Sequence, residues 1–192
     1  KGVAHIKWFA GLTHNEAFRQ KALLEIARLL NNGNEDKENW QPRMEDLTGR
    51  IEVEVPSLLK DTDIAVTGIG LPGFEHILSF FTQPGQMFAD EIEQRLHVIA
   101  CLEPPFMASS EDREQRISDS ARSVMKETFG GMPWLLVWGP KEDMKTAAET
   151  VEERCRMAFD GVPNETRKSL PGGITVFERV LPGPDRMYPD TD

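Results

Sequence analysis

The chain has 192 residues, of which 39% are hydrophobic and 28% charged, so it is long enough to form a core and ordinary in composition for a globular protein. Its formal net charge of −10, from 22 basic and 32 acidic residues, argues against a self-sufficient nucleic-acid-binding surface. No run approaches eighteen consecutive apolar residues, so we expect no transmembrane helix, no membrane partner and a cytoplasmic location.

The first fifty residues predict one strand, one helix and a loop. Residues 3–9 alternate loosely between apolar and polar side chains, which predicts a short strand or an extended entry segment. Thr13 and Glu16 have the spacing of a capping box, so we predict that a helix begins there and runs to about Leu30. Its apolar stripe is wide enough to be buried on two sides. The polar stretch 33–50 indicates a loop or linker.

The rest of the chain alternates strand and helix signals. Runs of β-branched or wholly apolar residues indicate strands, and apolar residues at helical spacing indicate amphipathic helices. Several such alternations with single-faced helices predict a mixed sheet with helices on one side, in an α+β or α/β sandwich. The predicted strands cover 64–70, 97–102, 134–138 and 174–181, and the predicted helices cover 74–81 (a helix or a turn), 88–96, 111–129 and 140–160.

A glycine run is the first pattern that could carry chemistry. Residues 68–73 fit the spacing GxGxxG after a predicted strand, which in dinucleotide-binding folds lets the backbone approach a pyrophosphate. Here Gly68 lies inside the strand signal and the helix after Gly73 is short, so we favour a structural turn over a nucleotide site.

No catalytic or metal-binding residue is predicted. The Glu75–His76 pair and the Arg95–His97 pair could exchange protons, but isolated histidines among apolar residues are usually core or rim residues. The four histidines are scattered, and the two cysteines are expected as reduced core thiols. Trp134 and Trp138 share a strand face that could stack bases, although their apolar neighbours favour a place in the core.

Five stretches together resemble a known family. The C-terminal run RVLPGPDRMYPDTD, at 179–192, resembles the pattern R-x-x-PG-x-x-RMYP-[ED]-TD of the GatE family, which belongs to archaeal-type tRNA-dependent, glutamine-forming amidotransferases. Four more stretches agree in the same order along the chain: RQKALLEI at 19–26, LPGF at 71–74, QPGQMFADE at 83–91 and GVPNETR at 161–167. Each stretch alone is weak, and the ordered combination is specific.

The resemblance implies a division of the chain into three parts. Residues 1–56 would hold the N-terminal strand and helix and a polar linker that leaves a catalytic cradle. Residues 57–180 would form a GAD domain, the insertion shared with bacterial aspartyl-tRNA synthetases, with a largely antiparallel sheet and helices on one face. Residues 181–192 would return to the cradle. The chain also lacks an initiator Met, and we expect it to be a fragment of a longer polypeptide.

The same resemblance implies a role in tRNA-dependent amidation. The parent protein would use ATP to phosphorylate the γ-carboxylate of glutamate on Glu-tRNA(Gln), and would amidate it with ammonia from a GatD-like glutaminase partner. ATP and magnesium would bind upstream of this segment, which is expected to hold no cofactor. We expect the segment to be inactive alone, to bind nucleic acid weakly or not at all, and to reach tRNA through the parent.

The end of the chain is expected to act on the cradle. Three prolines within residues 182–192 exclude a helix or a central strand there. The resemblance makes this stretch the return to the cradle, so Arg186, Tyr188 and Asp190 are predicted to line or brace it. A disordered chain end is the alternative.

Three arginines are candidate tRNA contacts. Arg113, Arg116 and Arg122 are expected to share one helix, although their acidic neighbours favour a solvated face over an RNA-binding one. Gln86 and Met87 stand where the family has paired arginines, and residues 97–104 stand where it has a glycine-rich run, so any phosphate or RNA contact there is in doubt.

Two other classes of function stay open from the sequence. The chain could be a free-standing protein-interaction module built on the same domain, or a nucleotide-binding domain that uses its glycine run. The sequence of the parent gene on either side of this chain would separate the first of these from the amidotransferase segment.

Overall fold

The structure is a computed structural model that describes residues 2–181, apart from the side chain of His5. Its regular elements alternate along the chain and form an α+β fold, which confirms the predicted class. The helices are α1 (Gly2–Asn31), α2 (Phe88–Ile99), α3 (Asp119–Phe129) and α4 (Met144–Ala158). The strands are β1 (Arg43–Asp46), β2 (Ile64–Gly70), β3 (Phe81–Gln83), β4 (Gln86–Met87), β5 (Met107–Ser109), β6 (Trp134–Pro140), β7 (Glu165–Leu170) and β8 (Ile174–Val180).

The main sheet has the strand order β1-β2-β6-β5, and every neighbouring pair is antiparallel. Its centre is the long pair of β2 and β6, in register from Ile64 opposite Pro140 to Gly70 opposite Trp134. Strands β3 and β4 form a small hairpin that leads into α2, and β7 and β8 form another that packs on α1 and α2. No helix within residues 2–181 is long and apolar enough to cross a membrane.

Helices cover the main sheet on both faces, whereas the sequence predicted helices on one face. Leu135 and Val137 of β6 belong to a core shared with α1, α2 and α4. The alternate residues Trp134, Leu136 and Trp138 belong to a second core, which α3 closes. The one-face expectation failed because β6 is apolar at every position, so each of its faces needs a cover.

The two glycines at the end of β2 make room for α3. A Cβ atom on Gly68 would lie 2.9 Å from the Phe129 ring and 2.9 Å from Leu47 Cδ1. A Cβ on Gly70 would lie 2.7 Å from the same ring and 2.7 Å from Met132 Sδ. The ring of Phe129 therefore packs directly on the strand backbone, which explains the first two glycines of the GxGxxG run in structural terms.

Several predicted elements differ in the structure. Residues 3–9 are the first turns of α1, and Thr13 is a mid-helix residue whose Oγ1 donates to the carbonyl oxygen of Phe9 at 3.0 Å. Residues 97–99 end α2 and are followed by a turn, so the strand predicted over 97–102 is wrong. Strand β1 lies in the predicted loop. Helix α3 begins only at Asp119, where Ser118 Oγ accepts a bond from the Ala121 amide.

Helix α1 shares a core with segments much later in the chain. Its buried residues Leu23, Ile26 and Leu30 pack with Trp40 and Phe159. Trp40 is 1% exposed, and its Nε1 donates to the carbonyl oxygen of Pro72 at 2.8 Å. Residues before and after position 56 thus contribute to one core, and the three-part division of the chain stays a prediction.

Candidate functional site: a buried Arg–Glu cluster

A buried carboxylate at the start of α2 organises the charged interior of the protein. Asp90 accepts the Met87 amide at 2.7 Å and so caps the helix, which turns the next residue, Glu91, inward. The Glu91 side chain is 2% exposed. Its carboxylate accepts bonds from Arg19 Nε at 2.5 Å, Arg154 Nη2 at 3.3 Å and Arg167 Nη2 at 3.5 Å. Glu91 thereby joins α1, α2, α4 and β7.

A second buried carboxylate, on the β7–β8 hairpin, binds arginines of the same charged interior. Glu165, at the start of β7, accepts from Arg19 Nη2 at 2.8 Å, Arg167 Nη1 at 3.2 Å and Arg95 Nη1 at 3.3 Å. Arg19 also reaches Glu16 at 3.2 Å, so its guanidinium contacts three carboxylates. We call this set the Arg–Glu cluster, and its members are Glu16, Arg19, Glu91, Arg95, Arg154, Glu165 and Arg167.

Burial and neighbouring charges act in opposite directions on the pKa of Glu91. Burial would by itself raise the pKa of Glu91, but the charges of Arg19, Arg154 and Arg167 hold that pKa below its ordinary value. Burial lowers the pKa of Arg95 and of Arg167. Arginine nevertheless stays protonated in proteins, so these guanidinium groups remain charged donors.

Hydrogen bonds extend the cluster to the β3–β4 hairpin. Gln83 Nε2 donates to the Thr175 carbonyl oxygen at 2.8 Å, and the Thr175 amide donates to Gln83 Oε1 at 2.8 Å. Arg167 Nε donates to Thr175 Oγ1 at 3.1 Å. The guanidinium of Arg95 lies 4.9 Å from the Phe177 ring centre, so cation–π contact adds to the ion pairs.

This geometry suits a structural joint. Charge-assisted hydrogen bonds between buried ions fix the relative orientation of the segments that carry them. The pairing is incomplete on the arginine side, since Arg95 Nη2 and Arg154 Nη1 are buried without a hydrogen-bond partner within residues 2–181. Glu91 and Glu165 each bind three guanidinium groups and are almost fully shielded from solvent. They hold α1, α2, α4 and the β7–β8 hairpin together, and they do not face an open cleft.

The three candidate tRNA contacts do not share a helix. Arg113 and Arg116 precede α3, and only Arg122 lies on it. The Arg116 Nη1 atom pairs with Glu93 at 2.8 Å, and the Arg113 guanidinium lies 4.4 Å from the centre of the Phe81 ring. The expectation of one helical face was wrong because the acidic stretch from 111 continues as turns up to Ser118. Whether these arginines contact tRNA stays a prediction.

The predicted cradle contacts Arg186, Tyr188 and Asp190 lie outside the described residues, and their role also stays a prediction.

Packing accounts for several of the other side chains that could have carried chemistry. Glu75, His76 and Cys101 are exposed, so the expectation of two core thiols was wrong for Cys101. His97 Nδ1 lies 2.7 Å from the Leu102 carbonyl oxygen, and its ring stacks on Phe106. Burial raises the pKa of the Cys155 thiol to about 12. Trp134 and Trp138 are buried in the core that α3 closes, as favoured from the sequence.

Sequence reasoning missed the cluster, although a local signal exists. Arg19 is in helical register with Leu23, Ile26 and Leu30, which line the buried face of α1. A charged residue within an apolar stripe needs a buried counter-charge, since an unpaired buried ion is very costly. The same signal is present at Arg95 beside Ile92 and Leu96, and at Arg154 between Val151 and Ala158.

Comparison with known proteins finds relatives that share one name. The chain is 34% identical to the GatE protein of the glutamyl-tRNA(Gln) amidotransferase of Caldivirga maquilingensis over 196 aligned residues, which cover all of this chain and 31% of that protein. The GatE proteins of Sulfolobus acidocaldarius and Sulfurisphaera tokodaii are 32% and 29% identical, each over the whole chain and 32% of the relative. No protein-family model matches the chain.

The chain is homologous to a segment of GatE. It spans about a third of the length of the curated relatives it matches, so it corresponds to one part of those GatE proteins. The resemblance carried by the sequence motifs is thereby confirmed. Arg19, Glu91 and Glu165 lie inside the matched segment, because the alignment covers the whole chain.

Proposed function

We propose that this chain is a non-catalytic insertion region of a GatE protein, and that the parent converts Glu-tRNA(Gln) to Gln-tRNA(Gln). Its task in the parent is to hold a fixed geometry between the helix that enters the domain and the hairpin that leaves it. The homology to GatE proteins over the full chain supports the parent activity.

One observation carries the structural part of this proposal. Three of the stretches that resemble the GatE family, 19–26, 83–91 and 161–167, lie far apart in sequence and meet at the Arg–Glu cluster. They contribute Arg19, Glu91, Glu165 and Arg167 to it, and Gln83 binds Thr175 beside it. Residues of the stretches that resemble the GatE family thus connect α1 with α2, α4 and the β7–β8 hairpin.

The chemistry of the parent is proposed to take place in the other parts of the GatE polypeptide. ATP and magnesium would bind there, ammonia would come from a GatD-like glutaminase partner, and tRNA would be held mainly by the parent. The buried carboxylates of Glu91 and Glu165 are each bound by three guanidinium groups, which favours a supporting role for the segment. Arg95 Nη2 and Arg154 Nη1 are buried without a hydrogen-bond partner among the described residues.

The test uses the full-length polypeptide that contains this chain, purified with a glutaminase partner. We expect ATP-dependent accumulation of Gln-tRNA(Gln) from Glu-tRNA(Gln), and no ATP hydrolysis above background by the 192-residue chain alone. A full-length polypeptide that amidates nothing would contradict the proposed activity. ATP turnover by the chain alone that a point substitution abolishes would contradict the non-catalytic role.

A further inference from the structure

Residues 52–55 form a strand-like segment that has no partner strand. Their sequence, EVEV, alternates acidic and apolar side chains at the period of a β-strand. Val53 and Val55 pack against the core that α3 closes, whereas Glu52 and Glu54 are exposed. The segment nevertheless belongs to none of the sheets of the described residues, and in that part of the chain its four amides donate no hydrogen bond. A segment with the side-chain pattern of a strand and free amides can pair with a strand from another chain.

A groove runs along this segment. One cavity of about 320 Å³ is lined by Glu52–Glu54, by residues 115–118 and by Trp138. The Trp138 Nε1 atom donates to the Glu54 carbonyl oxygen at 2.8 Å, which holds the segment at the edge of the cavity. A second cavity of about 450 Å³ adjoins the first, because the two share three lining residues, Glu54, Gln115 and Arg116. We call the two cavities together the 52–55 groove, and an extended chain in it would lie directly beside the segment.

The 52–55 groove is acidic. It is lined by the carboxylates of Glu52, Glu54 and Glu93. The cationic side chain that lines it, Arg116, already pairs with Glu93, at 2.8 Å from Nη1. The carboxylates of Glu52 and Glu54 have neither an ion pair nor a hydrogen bond in the described part of the chain. Two free carboxylates at alternate positions lie on one face of a strand, so they match basic side chains at alternate positions of a paired strand.

We propose that the 52–55 groove binds an extended, basic segment of another protein, which adds a strand to residues 52–55 by backbone hydrogen bonds. The backbone bonds supply affinity, and lysine or arginine at alternate positions of the incoming segment supplies specificity through Glu52 and Glu54. Nucleic acid fits poorly, because its phosphates would meet carboxylates. A second copy of this chain also fits poorly, since each copy carries a net charge of −10. The groove includes no member of the Arg–Glu cluster, so this binding is separate from the supporting role of that cluster.

The test uses the full-length polypeptide that contains this chain, with a synthetic peptide as the probe. The peptide KTKVKT, acetylated and amidated at its ends, carries lysine at alternate positions, and the control peptide ETEVET carries glutamate instead. At saturating KTKVKT, we expect amide hydrogen exchange over residues 52–55 to slow at least about tenfold, because these amides become hydrogen-bonded. Exchange over the edge strand β1, at 43–46, should not change, and ETEVET should slow exchange in neither segment.

Charge reversal tests the part of the two glutamates. Glu52→Lys combined with Glu54→Lys should weaken binding of KTKVKT, measured by fluorescence anisotropy, at least about tenfold through like-charge repulsion. The melting temperature should stay unchanged, because both side chains are exposed and contact no charged partner among the described residues. The matched control combines Glu38→Lys with Glu127→Lys, which alters the net charge equally at exposed sites outside the groove. It should change the affinity less than about twofold, since distant exposed charges are screened by salt.

Three outcomes would overturn the inference. Exchange over residues 52–55 that stays fast at about 1 mM KTKVKT would show that Glu52 and Glu54 only protect an unpaired segment from association. Binding that survives the double charge reversal would place the peptide elsewhere on the molecule. Slow exchange over residues 52–55 before any peptide is added would assign the groove to another part of the same polypeptide.

Discussion

Neutralising Glu91 tests whether the Arg–Glu cluster stabilises the fold. The substitution Glu91→Gln keeps the size of the side chain but removes the negative charge that Arg19, Arg154 and Arg167 share. Removing one partner of a buried ion pair costs about 3–5 kcal/mol, because the opposite charge stays buried. Glutamine retains one acceptor oxygen, so we expect a loss near the lower end, about 3 kcal/mol in the free energy of unfolding.

Urea unfolding of the 192-residue chain measures this loss. The midpoint should fall while the m-value stays constant, since the surface exposed on unfolding does not change. At about 2–4 °C per kcal/mol for a chain of this size, the melting temperature should fall by about 6–12 °C. The matched control is Glu25→Gln, which removes the exposed pair of Glu25 with Arg28 and should leave the melting temperature unchanged. Stability of Glu91→Gln within about 0.5 kcal/mol of the unsubstituted chain would show that the cluster does not stabilise the fold.

Four further predictions concern acid, packing, RNA and the C-terminal stretch. The folded-state pKa of Glu91 lies below its ordinary value of 4.5, so the ionised carboxylate stabilises the folded chain at neutral pH. This stabilisation is lost as the pH falls from 4.5 through the folded-state pKa. In acid unfolding curves, the free energies of unfolding of Glu91→Gln and of the unsubstituted chain should therefore converge. Gly70→Ala should lower the free energy of unfolding, measured in urea, by about 1–3 kcal/mol, because the new Cβ displaces Phe129. The control Gly131→Ala, where a Cβ meets nothing within 4 Å, should leave that free energy unchanged. Anisotropy titrations should show that the chain binds free tRNA more weakly than about 10 μM at physiological salt. Arg186→Ala with Tyr188→Ala should leave the melting temperature of this chain unchanged, while amidation by the full-length polypeptide falls about tenfold, or about 1.4 kcal/mol of barrier.

Short-range patterns predicted the elements whose signal is contained in a few residues. The run from Trp134 to Trp138 is apolar throughout and forms the central strand β6, and the apolar spacing from Met144 onwards forms α4. Strand β7 was missed because Glu165–Leu170 has no apolar alternation. In the structure this strand is held by its backbone pairing with β8. Residues 3–9 were misread because a loose alternation over seven residues fits a strand and a helix equally well.

The functional site could not be derived in the same way. Arg19 and Glu91 are 72 residues apart, and Arg19 and Glu165 are 146 apart, so no local pattern pairs them. The apolar stripe around Arg19 indicates that this residue is buried, but it does not identify the carboxylates that pair with it. Only the folded arrangement of α1, α2, α4 and the β7–β8 hairpin shows that these charges are paired with one another in the interior.

A segment that supports the parent enzyme without taking part in the chemistry should tolerate a change in the Arg–Glu cluster as long as it stays folded. The most direct measurement is the single-turnover rate of Gln-tRNA(Gln) formation by the full-length polypeptide carrying Glu91→Gln, at a temperature well below its unfolding transition. We expect a rate per folded molecule within about twofold of the unsubstituted enzyme, and loss of activity at a lower temperature on heating. A rate reduced tenfold or more in fully folded protein, about 1.4 kcal/mol of barrier, would contradict the claim that the cluster acts only through the stability of the fold.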